Sequence, residues 1–253
     1  MKKVWTLAVT TFQELIREKF FVVGLVMAFL LVALSYLLGS LSFYEQTRIL
    51  FNIGTMGIEL VLIGLALFSG SVLIHKEIEF RTCQIILTRP LSRTIFLLGK
   101  WTGLLIFIFL TTLLLGLVLL LLSFEQFSNL NYLFVLEQIF LKVVLLMSLA
   151  FFMGLVLRPV LASLVGLSLY LLSHSVQDIQ FFLKRAHGGQ IPDWFLIAQK
   201  LIPRFDQFNW KSFYFIEKGI PSESFAMMNF HYLSWIFLIL SACLLVWRKK
   251  DIG

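Results

Sequence analysis

The residues that could perform chemistry in this chain are few and far apart. His174 and Asp178 have the i, i+4 spacing that puts two side chains on one helix face, and Met227, Met228 and His231 cluster later in the chain. Imidazole and thioether groups are ligands for copper. Nothing in the sequence brings the two groups together, so we predict no metal site and retain these residues as candidates to examine.

Ser71 and His75 also stand four residues apart, a spacing that could pair a nucleophile with a base. A third group that would orient His75 is not evident, and the sequence contains no HExxH motif. We therefore predict that the chain is not an enzyme.

Glu59 is an acidic residue inside an apolar segment. A charge at the centre of a bilayer costs about 3 kcal/mol unless it is paired or protonated, so Glu59 is our candidate for a residue of a transport pathway. The alternative is that Glu59 lies near the outer interface and meets water or Lys142. The sequence suggests that Lys142 itself extends its ammonium group to that interface.

The elements that must position these residues are membrane-spanning helices. Of 253 residues, 59% are hydrophobic and 14% are charged, whereas soluble domains have roughly 25% charged residues. A span needs roughly 20 apolar residues. We predict one all-α integral membrane domain over 1–253. Its six transmembrane helices are placed at 20–41, 51–74, 97–122, 133–157, 159–175 and 229–247.

The distribution of Lys and Arg predicts the orientation. These residues concentrate at both termini and in the loop 75–96, whereas the short loops 42–50 and 123–132 carry only Arg48. The positive-inside rule therefore places both termini in the cytoplasm of a bacterial-type inner (plasma) membrane, with the long loop 176–228 outside. The net charge of +7 is spread in short runs beside apolar segments, so we expect lipid headgroups and not nucleic acid as its partner.

Two amphipathic segments flank the spans. From Val4 to Phe20, apolar residues recur every three to four positions, which predicts an N-terminal helix in the inner interface that touches lipid or the bundle. In the outer loop, Asp193 as an N-cap and Pro203 as a stop predict a second short interfacial helix.

The loop between the second and third predicted spans contains signals for helical structure, which a loop that only connects two spans would not need. A helix is predicted to begin near Glu77 and to end at Arg89 and Pro90, and Ser92 is predicted to start a second helix that continues into the third span. The result is a helical elbow. Its apolar side chains, set among arginines, are Ile85, Ile86, Leu87 and Leu91.

Three pairs of small residues have the spacing that permits close approach of helices in a membrane. They are Gly99 with Gly103, Ala66 with Gly70, and Ala162 with Gly166. Packing within one subunit and a dimer contact both explain such pairs.

Taken together, these features resemble the ABC-2 type permease family. The loop has the form E-x-x-x-x-T-x-x-x-x-L-x-R-P-x-S-R-x-x-x-L-x-G-K, and the outer segment Leu201–Trp210 resembles one in gliding-motility and nitrous-oxide-reductase-maturation permeases. The matching loop residues are Glu77, Thr82, Leu87, Arg89, Pro90, Ser92, Arg93, Leu97, Gly99 and Lys100.

The resemblance implies the permease half of an ATP-binding cassette exporter, working as a homodimer or as a dimer with a paralogue, with the fifth span at the dimer contact. The loop would be a cytoplasmic coupling helix seated on a separate ATPase subunit that binds ATP and Mg, since this chain has no G-x-x-x-x-G-K-[ST] motif. The alternative is a non-transporting membrane anchor or force-transmitting subunit for an ATPase complex. The residues expected to contact the ATPase are Glu79, Arg81, Thr82, Ile86, Leu87, Arg89 and Arg93.

Overall fold

The computed structural model describes residues 2–41, 46–79, 92–122, 131–186, 192, 195, 203, 205 and 222–249. This part of the chain is almost entirely helical, as the composition predicts. Its helices are α1 (Lys2–Arg17), α2 (Lys19–Ser40), α3 (Gln46–Glu79), α4 (Arg93–Leu122), α5 (Asn131–Val156), α6 (Pro159–His174), α7 (Val176–Ala186) and α8 (Ser222–Lys249).

The chain is a multi-pass membrane protein. Within the described residues, five helices are long and apolar enough to cross a bilayer, namely α2, α3, α4, α5 and α8. A sixth span is obtained if α6 and α7 are counted as one bent element. The five predicted spans that correspond to the long helices are therefore confirmed as apolar helices.

The predicted fifth span, 159–175, is the one that differs. α6 has 16 residues, which is about 24 Å of helix and short of a hydrocarbon core of about 30 Å. The chain then bends by 54° into α7. The first part of the predicted loop 176–228 is helical, because Val176, Ile179 and Leu183 recur at helical spacing and continue the helical structure through Ala186.

The N-terminal amphipathic helix is present as α1, but it ends before Phe20. Glu18 takes an extended backbone conformation, with φ of −70° and ψ of 135°, and α2 begins at Lys19. This break separates the amphipathic α1 from the apolar α2. α2 then runs beside α3, where Gly24 faces Leu65.

α3 and α5 form the centre of the bundle. Two glycines bring their backbones together, since a Cβ atom on Gly70 would lie 2.9 Å from the Met147 carbonyl oxygen and one on Gly154 would lie 2.6 Å from that of Ser71. α6 joins α3 through a hydrogen bond of 2.8 Å between the hydroxyls of Ser71 and Ser163. The small residues on α3 therefore serve packing inside one chain.

Three contacts define one end of the bundle, which we call the α1 end. Leu7 of α1 packs on Gly99 near the start of α4. Phe96 of α4 stacks on Trp247 near the end of α8, with ring centroids 6.0 Å apart. Glu77 near the end of α3 pairs with Lys100 of α4. The α1 end thus gathers α1, the start of α4 and the final turns of α3 and α8.

Candidate functional site

α1 lies directly on α4 at the place where the segment 80–91 joins the bundle. Gly99 and Gly103 provide the contact surface, because a Cβ atom on either would lie 2.7 Å from a Cβ atom of α1, that of Leu7 or of Thr11. Ala8 of α1 is fully buried there. This pair of small residues is therefore occupied by α1 of the same chain.

The apolar residues of α1 divide between two environments. Ala8 and Leu15 are buried against the bundle, whereas Trp5 and Ile16 are exposed. Trp5 and Ile16 are eleven positions apart, so they lie on nearly the same side of the helix. The predicted stripe thus contacts the bundle with one part and leaves the other part exposed.

Charged side chains fix α1 to both α3 and α4. The Lys100 ammonium lies 2.5 Å from the Glu77 carboxylate and 3.3 Å from that of Glu14 on α1. A second pair joins Lys76 of α3 to Glu18, at the break after α1, over 2.5 Å. The residues that flank the segment 80–91, at the end of α3 and the start of α4, are therefore held to each other and to α1. We call these two flanking ends the roots of the segment.

Burial determines how strong each pair is. The side chains of Lys100 and Glu77 are 7% and 11% exposed, so removing one partner would leave a buried charge, at a cost of about 3–5 kcal/mol. Lys76 and Glu18 are 42% and 30% exposed, and a pair of that kind contributes about 0–1 kcal/mol. The Lys100–Glu77 pair is the strong part of this cluster.

Two of the seven predicted ATPase-contact residues lie in the described part of the chain. Glu79 is the last residue of α3 and is exposed, with its carboxylate 4.0 Å from the His75 ring. Arg93 is the first residue of α4 and is also exposed. The other five, Arg81, Thr82, Ile86, Leu87 and Arg89, lie outside the described residues, as does most of the predicted elbow.

The structure tests both ends of that elbow. Ser92 precedes α4 and accepts a hydrogen bond of 3.3 Å from the Ile95 backbone N–H, so the predicted helix start at Ser92 is confirmed. The predicted helix start near Glu77 is wrong, because α3 continues without a break to Glu79. The acid at 77 pairs with Lys100 and does not mark a new helix N-terminus.

Glu59 belongs to a second charged cluster, near the middle of the bundle. Its carboxylate lies 2.6 Å from the Lys142 ammonium and accepts a hydrogen bond of 3.3 Å from the Tyr170 hydroxyl. Glu59 and Lys142 are both buried. The interpretation that Lys142 reaches the outer interface is wrong, because its ammonium group is occupied by Glu59 inside the bundle.

The two histidines among the metal candidates each contact a different aromatic ring. His174 stacks on Tyr170 with ring centroids 6.0 Å apart, and His231 meets Trp235 edge-on at 6.4 Å. Met227 is exposed, whereas Met228 packs against the core. Among the described residues, no group of three His, Cys, Asp or Glu side chains is placed to hold a metal ion.

Pro203 and Phe205, from the segment predicted to lie outside, are attached to α6. The Ser173 hydroxyl donates to the Pro203 carbonyl over 2.6 Å and accepts from the Phe205 backbone N–H over 2.8 Å. Phe205 is fully buried, and its ring lies 5.6 Å from that of Tyr170. Sequence reasoning identified Pro203 and Phe205 by resemblance but not their contact with α6, which joins residues 30 positions apart.

A third polar contact, also missed from the sequence, joins α5 to α8. Gln138 donates to the Asn229 side chain over 2.8 Å, and Asn229 donates to Glu137 over 3.0 Å. Asn229 stands at the start of the predicted sixth span, and a polar residue there is the signal that could have suggested such a contact.

No protein-family model matches the chain, and no curated protein matches it in sequence.

Proposed function

We propose that this chain is the permease subunit of an ATP-binding cassette exporter in a bacterial-type inner membrane. In this proposal the α1 end faces the cytoplasm, six spans cross the bilayer, and a separate ATPase subunit that binds ATP and Mg docks on the elbow 77–93. The motif in that segment and the number of apolar helices support the proposal.

The ion pairs at the two ends of the elbow also support this proposal. The roots of the elbow are held by the buried Lys100–Glu77 pair, and α1 braces the same two helices through Glu14 and Glu18. A loop that only connects two spans needs no such bracing. A loop that receives a mechanical load needs it, because force on a loosely held segment would be lost in local motion.

The proposed transmission runs through α4. α4 is continuous from Arg93 to Leu122, so a displacement of the elbow at its first turn can tilt the whole helix. α1 would move with α4, because Gly99 and Gly103 leave no space between them. This mechanism needs two conformations of the bundle, which the ATPase would favour in turn.

The alternative, a non-transporting membrane anchor or force-transmitting subunit, shares the elbow and the bracing. Its supporting observation is the close packing of α3, α5 and α6, which Gly70, Gly154 and Ser71 hold in contact. An exporter has to open a path beside this core, whereas an anchor does not.

A second copy of the chain completes the proposed transporter. Gly166 of α6 faces Leu67 of the same chain and Ala162 is fully buried, so this small pair is occupied as well. A dimer through the fifth span would therefore use the outward face of α6, where Val160, Leu161 and Leu164 are exposed.

The elbow can be tested by co-expressing the chain with an ATPase encoded beside it. The substitutions Ile86→Asp and Leu87→Asp put a charge on the predicted docking surface, and we expect both to abolish substrate stimulation of ATP hydrolysis while leaving membrane insertion intact. ATP turnover of the purified complex, measured over a panel of compounds, is the readout.

Ile86→Val is the matched control, because it keeps the apolar surface and should retain stimulation. Full stimulation in the two Asp variants would show that the elbow does not couple the subunits. A stable complex of the unmodified chain whose turnover no compound changes would favour the anchor.

A further inference from the structure

The geometry points to Glu59, Lys142 and Tyr170 acting together as a pin that sets the axial register of α3, α5 and α6. Each residue comes from a different helix, and all three side chains meet at one atom, Oε1 of Glu59. The inference concerns how the bundle is assembled and does not depend on what the chain transports.

Glu59 and Lys142 lie far from both ends of α3 and α5, whereas Tyr170 lies four residues before the end of α6. Lys142 is eleven residues, or about 16 Å, from the start of α5, and farther still from its end. Glu59 is thirteen residues, or about 20 Å, into α3. Both side chains are buried, so a shift that separated them would leave two buried charges without this pairing, which is unfavourable.

Shape fixes part of the register of these helices, at Gly70, Gly154 and the Ser71–Ser163 hydrogen bond, and the buried charges add an electrostatic constraint. Lipid tails are as apolar as leucine, so no hydrophobic force distinguishes one helix alignment from another shifted by a turn. A buried charge pair does distinguish them, since a shift of one turn, about 5.4 Å, would separate two groups now 2.6 Å apart. Fixing register is the best attested role of buried polar groups.

The third member of the pin is itself held in position. Tyr170 stacks on His174 and lies against the buried ring of Phe205, 5.6 Å away. Phe205 in turn is tied to Ser173 of α6 by its backbone N–H. The outer segment thus holds the Tyr170 hydroxyl in position to bond Glu59. This contact is a structural role for Pro203 and Phe205.

A disulfide between α3 and α6 can report the register. The hydroxyls of Ser71 and Ser163 are 2.8 Å apart, so cysteines at both positions are close enough to be oxidised to a disulfide. The chain has two native cysteines, and Cys83→Ser with Cys243→Ser removes them. In this background we expect the Ser71→Cys, Ser163→Cys protein in native membranes to form the disulfide nearly completely when oxidant is added.

The decisive variant adds Glu59→Leu and Lys142→Met, which removes the pin without leaving a buried charge. We expect this protein to insert and fold, because an apolar replacement of a buried ion pair is often tolerated. The disulfide yield should nevertheless fall to a minor fraction, because α6 can then slide along α3. The reversed pair, Glu59→Lys with Lys142→Glu, should recover much of the yield.

Gln138→Leu is the matched control for this experiment. Gln138 is buried one turn before Lys142 on α5, but it bonds to Asn229 of α8 and so should leave the yield unchanged. An undiminished yield in the apolar double variant would overturn the pin and return Glu59 to the role of a pathway residue. A reversed pair with a yield as low as that of the apolar variant would overturn it too.

Discussion

At the scale of single residues, Lys100 is the side chain on which the α1 end depends most. It is buried and faces two carboxylates, those of Glu77 and Glu14. We expect Lys100→Met to lower the stability by about 3–5 kcal/mol, because the Glu77 carboxylate would stay buried without its nearest cation. The thermal unfolding midpoint of the protein in detergent measures this change.

Two further variants separate the charge effect from a general loss of packing. Adding Glu77→Gln to Lys100→Met removes the stranded charge and should recover part of the midpoint. Lys76→Met removes a neighbouring ammonium from a half-exposed pair and should change stability by about 0–1 kcal/mol. Equal shifts for Lys76→Met and Lys100→Met would contradict the assignment of the buried pair as the stronger one.

Some residues of the two charged clusters could be predicted from the sequence and others could not. Glu59 is conspicuous because an acid in an apolar run is unfavourable on its own, and Lys142 could be named as one partner on the same grounds. Tyr170 and Glu14 carry no such signal. Tyr170 is 111 positions from Glu59, and Glu14 is 86 positions from Lys100, so only the packing of whole helices brings them together.

At the scale of elements, the contact between α1 and α4 should tolerate no added atoms. A Cβ atom on Gly103 would lie 2.8 Å from the Ala8 carbonyl oxygen, which belongs to backbone and cannot turn aside. We expect Gly103→Ala to displace α1 and to destabilise the protein by about 1–3 kcal/mol. A Thr11→Cys reporter, now fully buried, should become reactive to a thiol reagent in that variant.

Gly64 provides the comparison for this substitution. It lies in α3, and a Cβ atom there would meet nothing within 4 Å. Gly64→Ala should therefore be neutral or stabilising by up to about 1 kcal/mol, since alanine is the better helix former. A Thr11→Cys side chain that stays unreactive in the Gly103→Ala protein would show that α1 is not held by this surface.

The helices themselves were predictable where hydrophobicity alone forms them. Apolar runs of about twenty residues predicted the ends of α2, α4 and α5 to within four residues, whereas α8 begins at Ser222, seven residues before the predicted start at 229. α3 is longer than its apolar run because the helix continues through polar residues at both ends, from Gln46 and through Glu79. α7 was missed because an amphipathic helix of 11 residues has too low a mean hydropathy to register as a span.

At the scale of the whole molecule, the described helices form one continuous bundle, in which α4 also packs on α3 at Gly54 and donates a hydrogen bond from Trp101 to Ser148 of α5. α3, α5 and α6 are joined by Gly70, Gly154 and the hydroxyl pair of Ser71 and Ser163. α1 and α4 are joined at Gly99 and Gly103. The Lys100–Glu77 pair adds a buried ionic contact between α3 and α4 at the α1 end, where a load on the elbow would act first.

The proposed orientation yields the last prediction, because an ATPase in the cytoplasm can reach the elbow only from that side. Cys83 lies in the loop 75–96, and the second native cysteine, Cys243, is fully buried in α8. A membrane-impermeant thiol reagent should therefore modify Cys83 alone. We expect no modification in intact cells and rapid modification after the membrane is opened, with Cys83→Ser unlabelled in both. Rapid labelling from the outside of intact cells would place the elbow beyond the reach of any cytoplasmic ATPase, and the bracing of its roots by α1 would then need a different explanation.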